Sequence, residues 1–108
     1  MTDILLVYIP CKSEEQARTI GRHLLSKKLC ACINIYPEMG SLYFWPPKSE
    51  TMEEAHEAVL IAKTSKALYQ ELEDEVTKIH TYKCPCIMAI PTENINKPYY
   101  DWLKGELK

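Results

Sequence analysis

The sequence predicts an α+β fold with an antiparallel sheet, on three observations. Short runs rich in β-branched and aromatic residues read as strands: Ile4 to Ile9, Cys32 to Tyr36, Leu42 to Trp45, Ala58 to Ala62 and Ile87 to Ile90. Two amphipathic stretches, Ser13 to Lys28 and Leu68 to Ile79, read as helices. The third observation is their order within 108 residues: strand, helix, two strands, helix, strand, with a short helix at the end. That βαββαβ order is the split-βαβ, or ferredoxin-like, plan, expected as one domain over residues 1–108. The plan serves many unrelated functions, so function has to be argued from sites.

The first strand is closed by Pro10. The first helix opens with a capping-box signal, Ser13 followed three residues later by Gln16. Glu14 and Glu15 complement the positive end of its dipole, and Lys27 and Lys28 the negative end. Ala17, Ile20, Gly21, Leu24 and the stem of Lys28 form its apolar stripe, leaving Arg18 and Arg22 to solvent. Pro37 to Ser41 reads as a bend between strands, with Gly40 as its flexible point. Leu42 to Trp45 carries large side chains on both faces, one expected against helices and the other against a partner chain. Pro46 to Glu54 is a polar stretch read as an exposed loop. Leu68, Leu72, Val76 and Ile79 make the buried stripe of the second helix; its Glu71, Glu73, Asp74 and Glu75 read as a solvated acidic face. Ile87 to Ile90 reads as a last core strand. Asn96-Lys97-Pro98 opens the short helix, whose Tyr99, Tyr100, Trp102, Leu103 and Leu107 are too apolar to be left free, with Trp102 expected in packing.

Composition narrows the function classes. The apolar share of 46% and charged share of 26% are ordinary for a globular chain. A formal charge of −2 with a pI near 5.9 argues against a large basic footprint for nucleic acid or an anionic membrane. No apolar run approaches the ~20 residues of a spanning helix, and the N-terminus lacks a basic leader region. The expectation is a cytoplasmic protein. No nucleophile elbow, phosphate loop or zinc-helix motif is present, and no nucleophile–base pair can be argued. The third strand carries no RNA-stacking aromatics, and a metallochaperone's second thiol after the first strand is missing.

Five cysteines, Cys11, Cys30, Cys32, Cys84 and Cys86, are an odd count and read as reduced thiols. Cys30/Cys32 and Cys84/Cys86 have C-x-C spacing, which on a strand puts both members on one face. Such a pair chelates a soft ion or simply fills core space; the core reading is favoured, because paired C-x-x-C zinc spacing is lacking. Cys11, beside Lys12 and a helix N-terminus, is read either as a thiol of depressed pKa or as an ordinary loop cysteine, the second being favoured.

Six segments then appear in one order: Glu14-Glu15-x-Ala17, Leu29 to Ile35, Ser41 to Trp45, Lys63-Thr64, His80 to Ile87, and Tyr100 to Leu103. Together they resemble the CutA family of divalent-cation tolerance proteins over nearly the whole chain. The resemblance implies a ferredoxin-like protomer in a tight homotrimer, with long second and third strands extending the sheet between subunits. It also implies a small cytoplasmic non-enzyme linked to tolerance of copper and other divalent ions. The architecture is similar to that of PII signalling proteins, whose ligand sites lie in clefts between subunits, and a further protein partner is left open. The chain departs from the family where Thr81, Lys83 and Cys86 replace a proline and two polar or acidic residues after His80, and where Pro46-Pro47 replaces a W-x-G turn.

No catalytic residue is expected. The candidate metal ligands are His80, Cys84, Cys86 and Cys11, a sulfur-rich set suited to copper(I) or zinc. Tyr43, Trp45, Lys63, Tyr82 and Cys32 are the candidate cleft or interface residues. For His80 the competing reading is structural, an imidazolium against the last carbonyls of the second helix.

Overall fold

The structure, a computed structural model, describes residues 1–108. Its elements are β1 (Ile4–Cys11), α1 (Glu14–Ser26), β2 (Cys32–Phe44), β3 (Met52–Ser65), a 3-10 turn (Lys66–Leu68), α2 (Tyr69–Ile79), β4 (Met88–Pro91) and α3 (Lys97–Glu106). The strands form one antiparallel sheet in the order β2-β3-β1-β4, the ferredoxin-like plan the sequence predicts.

Period-two alternation sorts the sheet into two faces. Toward α1 and α2 point Val7, Ile9 and Cys11 of β1 and Ala58, Leu60 and Ala62 of β3. They meet Ala17, Ile20 and Leu24 of α1 and Leu72 and Val76 of α2 in the main core. Gly21 allows α1 to lie this close, since a Cβ there would collide with the Ile33 side chain. The opposite face carries Tyr8 of β1, Val59 and Ile61 of β3, Tyr36 of β2, and Met88 and Ile90 of β4. α3 covers one end of that face, where Leu103 packs with Ile4 and Ala31.

Local signals set the helix ends. The Ser13 side chain accepts the Gln16 backbone N–H at 3.1 Å, but the Gln16 amide reaches the Lys12 N–H rather than that of Ser13, so the box is half formed. At the other end, N–H groups of Lys28 and Leu29 fold back on the carbonyls of Leu25 and Leu24, a Schellman arrangement. It puts Lys28 in the left-handed region (φ 57) and exposed, so its stem does not extend the apolar stripe. Between the helices, Glu75 meets His23 at 2.8 Å and Lys27 at 3.6 Å, and within α2 it meets Lys78 at 3.0 Å. Part of the acidic face is thus an inter-helix tie.

Four expectations are corrected. Residues 37–41 are no break between strands: β2 runs through them, Gly40 is in regular strand, and the irregularity is a bulge. Tyr36 pairs with Val59 and Met39 with Glu57, so β2 supplies one extra residue there. The polar stretch after Trp45 is loop only as far as Thr51, because β3 begins at Met52 and pairs back along the whole arm. β4 is an exposed edge strand rather than a core strand. Trp102 stacks beside Tyr99 with ring centres 5.4 Å apart, yet remains 46% exposed.

Candidate functional site

A pocket of about 420 Å³ opens where the end of β1, the stem of the β2–β3 arm and the 81–87 loop meet. Tyr43, Trp45 and Tyr82 supply aromatic walls, Pro10 an apolar one, and Glu57, Lys83, Cys84 and Cys86 the polar lining. The bulge decides which β2 side chains take part. Up to Tyr36 the even-numbered residues share the face of Val59 and Ile61; beyond it Met39, Ser41 and Tyr43 do. Tyr43 is thereby turned toward Glu57 and Tyr82.

His80 organises the pocket from behind. It caps α2 and is buried, with Nε2 at 2.9 Å from the Pro10 carbonyl and Nδ1 at 3.2 Å from the Tyr82 backbone N–H. A carbonyl only accepts, so Nε2 carries the proton; an N–H only donates, so Nδ1 is bare. Those two bonds define one neutral tautomer and occupy both ring nitrogens. The imidazole therefore serves the carbonyl of β1 rather than the last carbonyls of α2. Its ring lies 4.6 Å from that of Tyr82, whose hydroxyl donates to Glu57 Oε2 at 2.7 Å. Strand, histidine, tyrosine and glutamate form one relay of fixed geometry.

The field around Glu57 is negative. Burial, then the bond and charge of Glu57, push the Tyr82 hydroxyl far above the usual tyrosine range. Burial and Glu57 likewise raise the Cys11 thiol to about 11, and burial, Glu57 and Cys84 raise Cys86. The activated reading of Cys11, the less favoured of the two, is thereby excluded, and the residue ends β1 rather than lying in a loop. Cys11 faces the helices with no exposure, its Sγ 3.5 Å from the Ile9 carbonyl, so neither Lys12 nor the α1 N-terminus reaches it through solvent.

The nine candidates fall into three groups. Tyr43, Trp45, Tyr82, Cys84 and Cys86 come together at the pocket. His80 and Cys11 stand behind its wall, already bonded or sealed. Cys32 and Lys63 pair with each other near the opposite end of β3, roughly 20 Å away along the strand. There the Lys63 ammonium donates to the Tyr99 hydroxyl at 3.0 Å and lies 5.0 Å over its ring. That hydrogen bond raises the Lys63 pKa. The C-x-C pairs do not lie as strand neighbours: Cys30 is buried before β2 begins, with its thiol pushed up to about 12 by burial, and Cys84 is exposed in a loop. All five thiols are free. No three His, Cys, Asp or Glu side chains of the protomer converge as a metal cage.

Sequence reading missed Glu57, Lys83 and Pro10. Glu57 had a signal: it continues the Val59, Ile61, Lys63 alternation, placing a carboxylate on a largely apolar sheet face. Lys83 was visible only as a replaced position. Pro10 acts through its carbonyl and ring, which no side-chain motif records.

Comparison with known proteins adds the context. A family model described as CutA1 divalent ion tolerance protein matches residues 5–106. The divalent-cation tolerance protein CutA of Archaeoglobus fulgidus is 42% identical over 97 residues, spanning 90% of this chain and 91% of that protein. Its namesake from Thermus thermophilus is 38% identical over 104 residues, 96% of each chain. Among solved structures, the Archaeoglobus fulgidus CutA, described as periplasmic, superposes with a TM-score of 0.91 at 37% identity, covering 97% of this chain and 99% of that one.

Proposed function

The chain belongs to the CutA1 divalent ion tolerance family, and from that premise we propose that it works as a cytoplasmic homotrimer responding to a soft metal ion such as copper(I). The observation that carries the metal reading is the pair of thiols, Cys84 and Cys86, lining one pocket beside the Glu57 carboxylate. Thiolates suit copper(I) or zinc better than magnesium or calcium, and a nearby negative charge favours any cation. His80 does not fit as a ligand while both its nitrogens are bonded, nor does Cys11 while it is sealed in the core. Their role in this reading is to hold the pocket in shape. The relatives carry tolerance-protein names rather than enzyme names, and no chemistry beyond binding is proposed.

Titration with copper(I) and with zinc under reductant tests it. We expect binding in wild type and in His80→Ala, and its loss in the Cys84→Ser/Cys86→Ser double variant. Binding weakens as pH falls, since thiols must lose protons to ligate. Equal affinity in all three proteins, or none in wild type, would remove the metal from the site.

The trimer rests on the sheet face that α1 and α2 leave uncovered, where Tyr36, Met88 and Ile90 keep 61%, 53% and 49% of their exposure. Light scattering should give about three times the 12.5 kDa protomer mass; a stable folded monomer overturns it. A second reading, a PII-like sensor of a small organic ligand, is favoured by the size of the pocket and its aromatic walls.

A further inference from the structure

We propose that this pocket binds a small organic ammonium compound, with the Glu57 carboxylate taking the cation and Tyr43, Trp45 and Tyr82 facing it with their rings. The proposal rests on the sensor reading and does not depend on the metal. Its first support is the charge of Glu57. The carboxylate lies half-buried in the lining, its side-chain hydrogen bond comes from the neutral Tyr82 hydroxyl, and no lysine, arginine or histidine forms an ion pair with it. Glu75 on α2, by contrast, is met by His23, Lys78 and Lys27 of the protein itself.

The second support is the walls. Three electron-rich rings around a carboxylate attract a cation through their faces while burying the carbon skeleton attached to it. A bare metal ion would use neither the rings nor the apolar volume. At about 420 Å³ the space suits a molecule with one ring or a short chain, within the usual range for small-ligand sites.

Third, the arrangement is held in place before any ligand arrives. The Pro10–His80–Tyr82–Glu57 relay fixes the carboxylate from inside the fold, so little ordering cost remains at binding. Lys83 at the same pocket adds a cation of its own. It disfavours a second positive charge on the ligand and is placed to meet an anionic group, so simple amines and amino acids share the ammonium chemistry and differ at Lys83.

Ligand-detected NMR on the full chain, with reductant and chelator present, tests the assignment. The probes are 2-phenylethylamine, phenylalanine and the uncharged 2-phenylethanol. The expected result is saturation transfer to the ammonium probes and at least tenfold weaker binding of the alcohol. Glu57→Gln should erase that preference and Trp45→Ala should weaken all three probes, and the chelator separates this outcome from that of the metal titration. Phenylalanine binding tighter than the amine, with the gain lost in Lys83→Ala, assigns an amino acid; the reverse order assigns a simple amine. Equal binding of amine and alcohol, an unchanged preference in Glu57→Gln, or no transfer to any probe overturns the proposal.

Discussion

On the sheet face toward α1 and α2, Val7, Ile9, Ala58, Leu60 and Ala62 have no exposure, whereas Met88 and Ile90 on the other face keep about half of theirs. Both faces belong to the same four strands, and both carry large apolar residues. The difference is what lies against them. On the helix side the burial is completed inside the chain, so Val7, Ile9 and Leu60 stabilise the protomer by about 1.5–3 kcal/mol each. On the far side α3 covers only one end, and the remaining apolar area is available to another molecule. The contrast teaches that hydrophobicity along a strand says little about where its energy is realised.

The largest effect that could break this contrast is a cavity on the helix side. Leu60→Ala should lower unfolding stability by about 2–5 kcal/mol, read from the denaturant midpoint. If Ile90→Ala on the far face cost as much in isolated protomers, the two faces would not differ in the way described. A smaller and different effect is expected from Trp45→Ala on the arm. If the proposed trimer forms, the variant should shift its dissociation by about 2 kcal/mol or more, seen by sedimentation as a dissociation midpoint at higher concentration, while far-UV circular dichroism stays unchanged. Loss of fold at every concentration would place Trp45 in the protomer core instead.

The smallest effect concerns the tie between the helices. His23, then Lys78 and Lys27, hold the Glu75 carboxyl near a pKa of about 2, below its ordinary 4.5. A depressed folded-state value means the stabilisation is present above pH 4.5 and is lost as pH falls toward about 2. Glu75→Gln should therefore flatten the acid limb of the stability curve in that window and leave neutral pH little changed beyond loss of the tie. An acid limb identical to wild type would show the tie to be inert.

How far the sequence could be read follows from how local each cause is. The α1 start at Ser13, the Leu72/Val76 stripe of α2 and the Asn96-Lys97-Pro98 opening of α3 depend on neighbours within a turn, and each was legible. The length of the β2–β3 arm was not. Met52 to Glu57 lies beyond the helices with little to bury against, so it shows no apolar alternation, and only pairing with residues 39–44 makes it a strand. The aromatic half of the pocket was legible, because Tyr43, Trp45 and Tyr82 are conspicuous side chains. The partners of His80 were not: one is a carbonyl 70 residues away in sequence, and backbone atoms carry no sequence signal.

The extra residue at Pro37–Glu38 has a consequence for chain length. Because side chains alternate, it acts as a parity switch for everything from Met39 to Phe44. Deleting one residue there would pair β2 with β3 residue for residue, removing the bulge while leaving Met39 opposite Glu57 and Tyr43 on the Glu57 side. Insertions in the tip between Trp45 and Thr51 likewise alter the reach of the arm and leave its two faces as they are. Changes in this arm thus sort by position: a single deletion between Met39 and Tyr43 would turn Tyr43 to the back, while one at the bulge or at the tip leaves it in place.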